Sequence, residues 1–390
     1  MPFPLEPKPI HVPDEVLTDL RTRLSQTRAP VDEGNEDWSY GVPARYLHEL
    51  VAYWRDGFDW RRAEALINTH EHYETDVSDV RVHFMRTPSR AERPIPLILT
   101  HGWPWTFWHW SKVVDQLADD FEVIVPSLPG FGFPGPLTGF PDVNFWKVAD
   151  LWHTLMTDIL GHARYAAAGC DIGGLVSSQL GHKYADSLHG IHIGSGLPLN
   201  FFTGDRAWNF AHNRPLPEDP DLRARTIELD HRWATHLTVH MLDGATLAHG
   251  LSDSPAGLLA WLLERWHAWS DGDLESVFTR DDLLTHATIY WATNSIATSM
   301  RYYANANRYP WTPSHNRVPV VEAPVGLTFV SYENPPGVHT ARERVEAFLG
   351  GPLAGYFNHV NVNAHERGGH FIPWENPDAW VSDLRRTFLG

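Results

Sequence analysis

Residues 163–185 read ARYAAAGCDIGGLVSSQLGHKYA, and the order of these residues decides the fold class. ARYAAAGC is a short run of small, apolar and aromatic residues, the pattern of a strand buried on both faces. GLVSSQLGHKYA (174–185) reads as a helix. Between them the chain turns at GCDIGG (169–174), where one acidic residue, Asp171, has a glycine two places before it and glycines two and three places after. Small residues at those places let the backbone bend sharply and leave the side chain at the tip in the open.

The same strand, loop and helix order recurs on either side. PIPLILT (94–100) is a strand running into HGWP (101–104), and FEVIVPSLPGFGFP (121–134) is a strand followed by a glycine-proline loop. FWKVADLWHTLMTDIL (145–160) is an amphipathic helix and LHGIHIGSG (188–196) another strand. Strands alternating with helices require right-handed crossovers and a mostly parallel sheet, with ligands held beyond the carboxyl ends of its strands. Residues 91–196 therefore form the first part of an α/β core. Residues 1–90 read as a mostly helical lead-in, with a helix from Asp14 that aligns Val16, Leu17, Leu20 and Leu24, a second from Ala44 to Trp54, and a strand at VRVHFM (80–85). From 197 to 309 the strand signal vanishes and tryptophan-rich helical segments such as GLLAWLLERWHAWS (257–270) take over, as in a helical cap inserted over the sheet. In 310–390 the core resumes with a strand at PVGLTFVSYE (324–333), a helix at HTARERVEAFLG (339–350), a strand at YFNHVNVNAH (356–365), the loop RGGHFIPWENP (367–377) and a closing helix.

An acidic residue at such a tip carries chemical information. A carboxylate that displaces a leaving group at saturated carbon leaves an ester, which an activated water can cleave, whereas serine would leave an ether. Asp171 therefore suits epoxide opening or loss of a halide, and the second step needs a base. His370, in the glycine-flanked loop RGGHF, follows in the order nucleophile, acid, histidine that the α/β-hydrolase fold uses. A carboxylate on the far ring nitrogen would fix its tautomer, and Glu333 at the end of PVGLTFVSYE follows a strand ahead of it.

HGWP, GCDIGG, DSPAGLLAW (253–261), SMRYY (299–303), PVGLTFVSYE and GGHF together resemble the microsomal-type epoxide hydrolases of the α/β-hydrolase superfamily. LRTRLSQTR (20–28), the Trp38 to Pro43 segment WSYGVP and YWRDGFDWR (53–61) are similar to the N-terminal region of those enzymes, so the resemblance spans nearly the whole chain. It implies Asp171 as nucleophile, His370 as general base, Glu333 as relay acid, and the backbone N–H groups of Trp103 and Ile172 as oxyanion hole. It also implies two cap tyrosines that donate to the epoxide oxygen. SMRYY supplies Tyr303 at one position, with Tyr302 as its neighbour; the other falls in HRWATHLTVHML (231–242), which holds no tyrosine and offers His236 instead. In length and organisation the chain is similar to epoxide hydrolases of enediyne antibiotic pathways.

Composition narrows the partners. A formal net charge of −17 disfavours nucleic acid and anionic membranes, and a small neutral ligand is expected. No cofactor or metal is expected. The single cysteine, Cys170, excludes an intrachain disulfide, and the absence of a long apolar run predicts a soluble, cytoplasmic protein; a homo-oligomer is compatible with the composition. The cap tryptophans 208, 233, 261, 266 and 269 predict a bulky apolar, aryl-bearing epoxide. Two other readings use the same residues: a dehalogenase, in which indole N–H groups hold the departing halide, and a non-catalytic binding protein on a hydrolase fold.

Overall fold

The computed structural model describes residues 3–31, 33–194 and 216–390. Eight strands form one sheet: β1 Glu71–Val77, β2 Val80–Thr87, β3 Ile95–Thr100, β4 Phe121–Pro126, β5 Tyr165–Cys170, β6 Leu188–Gly194, β7 Val321–Val330 and β8 Phe357–His365. Their order across the sheet is β1-β2-β4-β3-β5-β6-β7-β8. β1 pairs antiparallel with β2, and β2 antiparallel with β4; every later pairing is parallel. This is the α/β-hydrolase fold. The two antiparallel strands are a hairpin closed by Ser78 and Asp79, both at positive φ (48° and 67°), as a tight two-residue turn requires. The lead-in thus contributes two strands to the sheet, one more than its sequence pattern announces, besides its helices Asp14–Ser25, Ala44–Asp56 and Trp60–Ile67.

β3, β5 and β6 lie at the centre, and Leu97, Ile98, Leu99, Ala166, Ala167, Ala168 and Ile191 on them are fully buried. The helix Ile172–Lys183 packs against this centre so closely that glycine is required on both sides of the contact. A Cβ on Gly173 would stand 1.8 Å from the Thr100 carbonyl oxygen, and one on Gly169 would stand 2.3 Å from the Gly173 carbonyl carbon. The turn between them places Asp171 at φ 54°, ψ −126°, a conformation costly for a non-glycine residue and held by the packing on either side.

Between β6 and β7 the described chain is helical: Pro220–Leu242, Gly244–Asp253, Pro255–Trp269, Leu274–Val277, Arg280–Ala292 and Ile296–Arg308. The helix Pro255–Trp269 is buried nearly all round, with Leu258, Leu259, Leu262, Leu263, Trp266 and Trp269 inside, as its mostly apolar sequence requires, and its buried Arg265 donates to the Arg232 carbonyl at 2.7 Å. The lead-in straps this layer down. Trp54 Nε1 donates to Thr288 Oγ1 at 3.0 Å, the Tyr53 hydroxyl to Asp281 at 2.7 Å, and Arg23 to Asp253 Oδ1 at 2.7 Å. No helix among the described residues is long and apolar enough to cross a membrane.

The helix-on-strand contact predicts a contrast between two alanine substitutions. Gly173→Ala should cost about 3 kcal/mol or more, or prevent recovery of folded protein, because the added methyl meets backbone that cannot move aside. Gly250→Ala, inside the helix Gly244–Asp253 with nothing within 4 Å of the new methyl, should gain about 0.5–1 kcal/mol. Urea unfolding midpoints measure both; a Gly173→Ala protein as stable as the parent would contradict the packing account.

Candidate active site

The carboxyl ends of the central strands bring the separated sequence candidates together. Asp171 caps β5, and its Oδ1 accepts the backbone N–H of Trp103 at 3.0 Å, from the HGWP loop that follows β3. Ile172 is the first residue of the helix beyond the turn, so its N–H lies at a helix N-terminus, where negative charge is favoured. The loop after β8 delivers His370. Its Nε2 lies 3.4 Å from Asp171 Oδ2, and its Nδ1 lies 2.5 Å from Oε1 of Glu333, which ends a short turn after β7. The imidazole is thus a bridge between two carboxylates with its side chain 4% exposed. Burial alone would depress its pKa, but Glu333 first and Asp171 with it raise the group to about 10.

Tyr303 faces this group from the cap helix Ile296–Arg308. Its ring stands edge-on to Trp103 (centroids 6.5 Å apart, 89°), and burial, then the negative charge of Asp171, pushes its phenol well above the usual value. The phenol therefore stays protonated, as a hydrogen-bond donor must. Tyr302, the neighbouring residue, is committed elsewhere, donating its hydroxyl to the Pro129 carbonyl at 2.8 Å. Tyr290 donates likewise to the Trp105 carbonyl at 2.9 Å.

His236 lies in the same wall. Its ring stacks on Trp103 (5.3 Å, 3°) and stands edge-on to Tyr303 (5.5 Å, 88°) and Trp269 (4.9 Å, 75°). Burial, then the nearby His240, Arg265 and His370, holds it neutral, and its buried Nδ1 has no hydrogen-bond partner among the described residues. The sequence reading missed His240, one helical turn on, though the i, i+4 spacing was a usable signal. Its Nε2 accepts the Trp261 indole N–H at 3.0 Å, so the neutral ring carries its proton on Nδ1, and burial lowers its pKa to about 3. Trp269 covers His370, its ring 4.6 Å from that of the imidazole. Trp266 and Trp269 are buried; Trp208 and the side chain of Trp233 lie outside the described residues. Among the described residues no group of three or more His, Cys, Asp or Glu side chains could hold a metal.

A family model described as "Epoxide hydrolase N terminus" matches residues 5–110, and one described as "alpha/beta hydrolase fold" matches residues 95–242. A Stigmatella aurantiaca protein named "Putative epoxide hydrolase" is 33% identical, over 98% of this chain and 84% of its own length. The chain belongs to the epoxide hydrolase family. "Epoxide hydrolase 1" of Oryctolagus cuniculus is 28% identical to this epoxide hydrolase over 99% of the chain and 89% of its own. The crystal structure of juvenile hormone epoxide hydrolase from Bombyx mori superposes with a TM-score of 0.77 at 25% identity, covering 98% of this chain and 93% of that one. The Aspergillus niger epoxide hydrolase structure gives 0.76 at 25% identity, covering 97% and 94%. These relatives lend no support to an enediyne pathway.

The bridge geometry predicts an unusual histidine titration. Because the folded-state value lies above the ordinary 6.5, the stabilisation from this pairing is complete below about 6.5 and is lost as pH rises towards 10. One histidine in the NMR spectrum should titrate well above pH 8. In Asp171→Ala, with one carboxylate gone, that titration should move down towards neutrality. A His370 resonance titrating near 6.5 in both proteins would contradict the bridge.

Proposed function

We propose that the enzyme opens a bulky, apolar, aryl-bearing epoxide by forming an ester on Asp171, which water activated by His370 then hydrolyses to a vicinal diol. The observation that carries this reading is the seating of Asp171, with Oδ1 on the Trp103 N–H and Oδ2 facing His370. Oδ2 attacks an epoxide carbon and the ring C–O bond breaks. Tyr303 gives its proton to the departing oxygen, with neutral His236 as the second donor in place of a tyrosine. Esterification removes the charge on Asp171, so the imidazolium loses one of the two carboxylates that hold its proton. The proton it releases restores the Tyr303 phenol, and the neutral imidazole becomes a base. Water gives a proton to His370 and adds to the ester carbonyl, whose oxygen is Oδ1. The Trp103 and Ile172 N–H groups hold the charge that develops there. Collapse frees the diol and restores the carboxylate, while Glu333 keeps the imidazole in register and stabilises its cation.

The aromatic wall of Trp103, Trp269 and Tyr303 supports an aryl substituent, since flat apolar faces reward stacking and edge-on contacts. Tyr303, a neutral phenol opposite Asp171, favours this reading over a dehalogenase, because an alkoxide needs a proton and a halide does not. A non-catalytic role would leave unexplained why all the triad positions are occupied and in contact.

Asp171→Ala should lower turnover of an aryl epoxide roughly ten-thousandfold or more while the fold survives, and Tyr303→Phe should slow ester formation roughly a hundredfold. His370→Gln should still take up substrate and accumulate an adduct on the Asp171 peptide, seen by mass spectrometry. If His370→Gln binds the epoxide and shows no adduct, the assignment of the base is wrong.

A further inference from the structure

The amides around His370 are tied to the end of the cap helix Pro255–Trp269. Gly368 N–H donates to Asp271 Oδ2 at 2.9 Å, and His370 N–H donates to the Trp269 carbonyl at 2.8 Å. Phe371 N–H donates to Glu375 Oε1 at 3.0 Å, and the Gly369 N–H also reaches the Glu375 carboxylate. The other oxygen of Glu375 turns to the cap, accepting the Asp271 N–H at 2.8 Å. One carboxylate therefore holds the histidine loop with Oε1 and the end of the cap with Oε2. Gly369 is the residue this closeness demands: a Cβ there would lie 2.5 Å from the Trp269 carbonyl oxygen, 2.6 Å from the Asp271 nitrogen and 2.8 Å from Glu375 Oε1.

No step of the proposed chemistry uses Glu375, yet it is placed where a small displacement matters most. Glu333 fixes the Nδ1 side of the imidazole, but the distance from Nε2 to an ester on Asp171 depends on where the backbone of the loop sits. Asp171 and Tyr303, which make the ester, stand on other elements. We propose that Glu375 is a positioning residue that joins the His370 loop and the end of the cap into one unit, and that it serves ester hydrolysis rather than ester formation. Drawing the cap away at this end would draw the base with it.

The inference rests on the covalent mechanism, and its test separates the two half-reactions in the full-length enzyme. With styrene oxide as probe, quenched-flow mass spectrometry of the Asp171 peptide gives the rates of adduct formation and decay. The assay belongs at about pH 8.5, where a carboxyl raised by burial to about 7, against the pull of its N–H donors, is ionised. In Glu375→Ala, adduct formation should stay within about threefold of the parent, while adduct decay should slow roughly 10- to 100-fold. Glu375→Gln, which keeps one acceptor oxygen and turns an NH₂ towards the other N–H, should fall between the two; if the alanine variant does not fold, the glutamine variant decides alone. Equal slowing of both steps, or no change in either, would overturn the proposal. Absence of any adduct in the parent and in His370→Gln would instead overturn the covalent mechanism on which it rests.

Discussion

The contact between Gly173 and the Thr100 carbonyl is the constraint on which the site depends. It seats the helix Ile172–Lys183 on β3 and β5 without intervening side chains, and so forces the chain between β5 and the helix into a turn tight enough to hold a non-glycine residue at φ 54°. That turn aims Asp171 away from the core, at the Trp103 N–H on one side and His370 on the other. A looser junction would relax the turn and withdraw the carboxylate from both. The strain at the tip is sustained by burial across the central strands, whose side chains are almost wholly excluded from water.

On this scaffold the electrostatics are simple in outline. Two carboxylates share one buried imidazole, and the low surrounding polarity makes each charge strongly felt by the others. Such a bridge is self-timing under the proposed chemistry: while Asp171 is ionised the histidine holds a proton, and once Asp171 is esterified that hold weakens. In the aromatic wall of the cap the imidazoles are held neutral by burial, and the nearby Arg265 guanidinium acts in the same direction. The end of the cap helix also meets the loop of His370, through the Trp269 carbonyl, Asp271 and Glu375.

Much of this was legible in the sequence because the signals are local. Small residues around Asp171, apolar runs of strand length and glycines beside His370 each report on a few neighbouring residues. β1 was not legible for the opposite reason. EHYETDV carries three acidic residues and no continuous apolar run, yet Glu71 lies opposite Arg86 and Asp76 opposite Arg81 in the hairpin, and both pairs are in salt-bridge contact. Those charges are cross-strand partners, a property that exists only once the strands pair. Tyr302 and Tyr303 could not be told apart along the chain, but neighbours on a helix point about 100° apart, and one reaches Pro129 while the other faces Trp103. Glu375 was hidden for the same reason as β1: its partner Asp271 lies 104 residues away.

Under the proposed covalent route Asp171 supplies the oxygen of the diol, and the fate of an isotope tests this most directly. With enzyme in excess over an aryl epoxide in ¹⁸O-water, one turnover should give essentially unlabelled diol and place the label in the peptide that contains Asp171, because water attacks the ester carbonyl and not the epoxide carbon. Over many turnovers the diol should become labelled as the marked carboxylate is reused. A labelled diol from the first turnover, with an unlabelled Asp171 peptide, would mean that water opens the ring directly and that Asp171 acts only as a base.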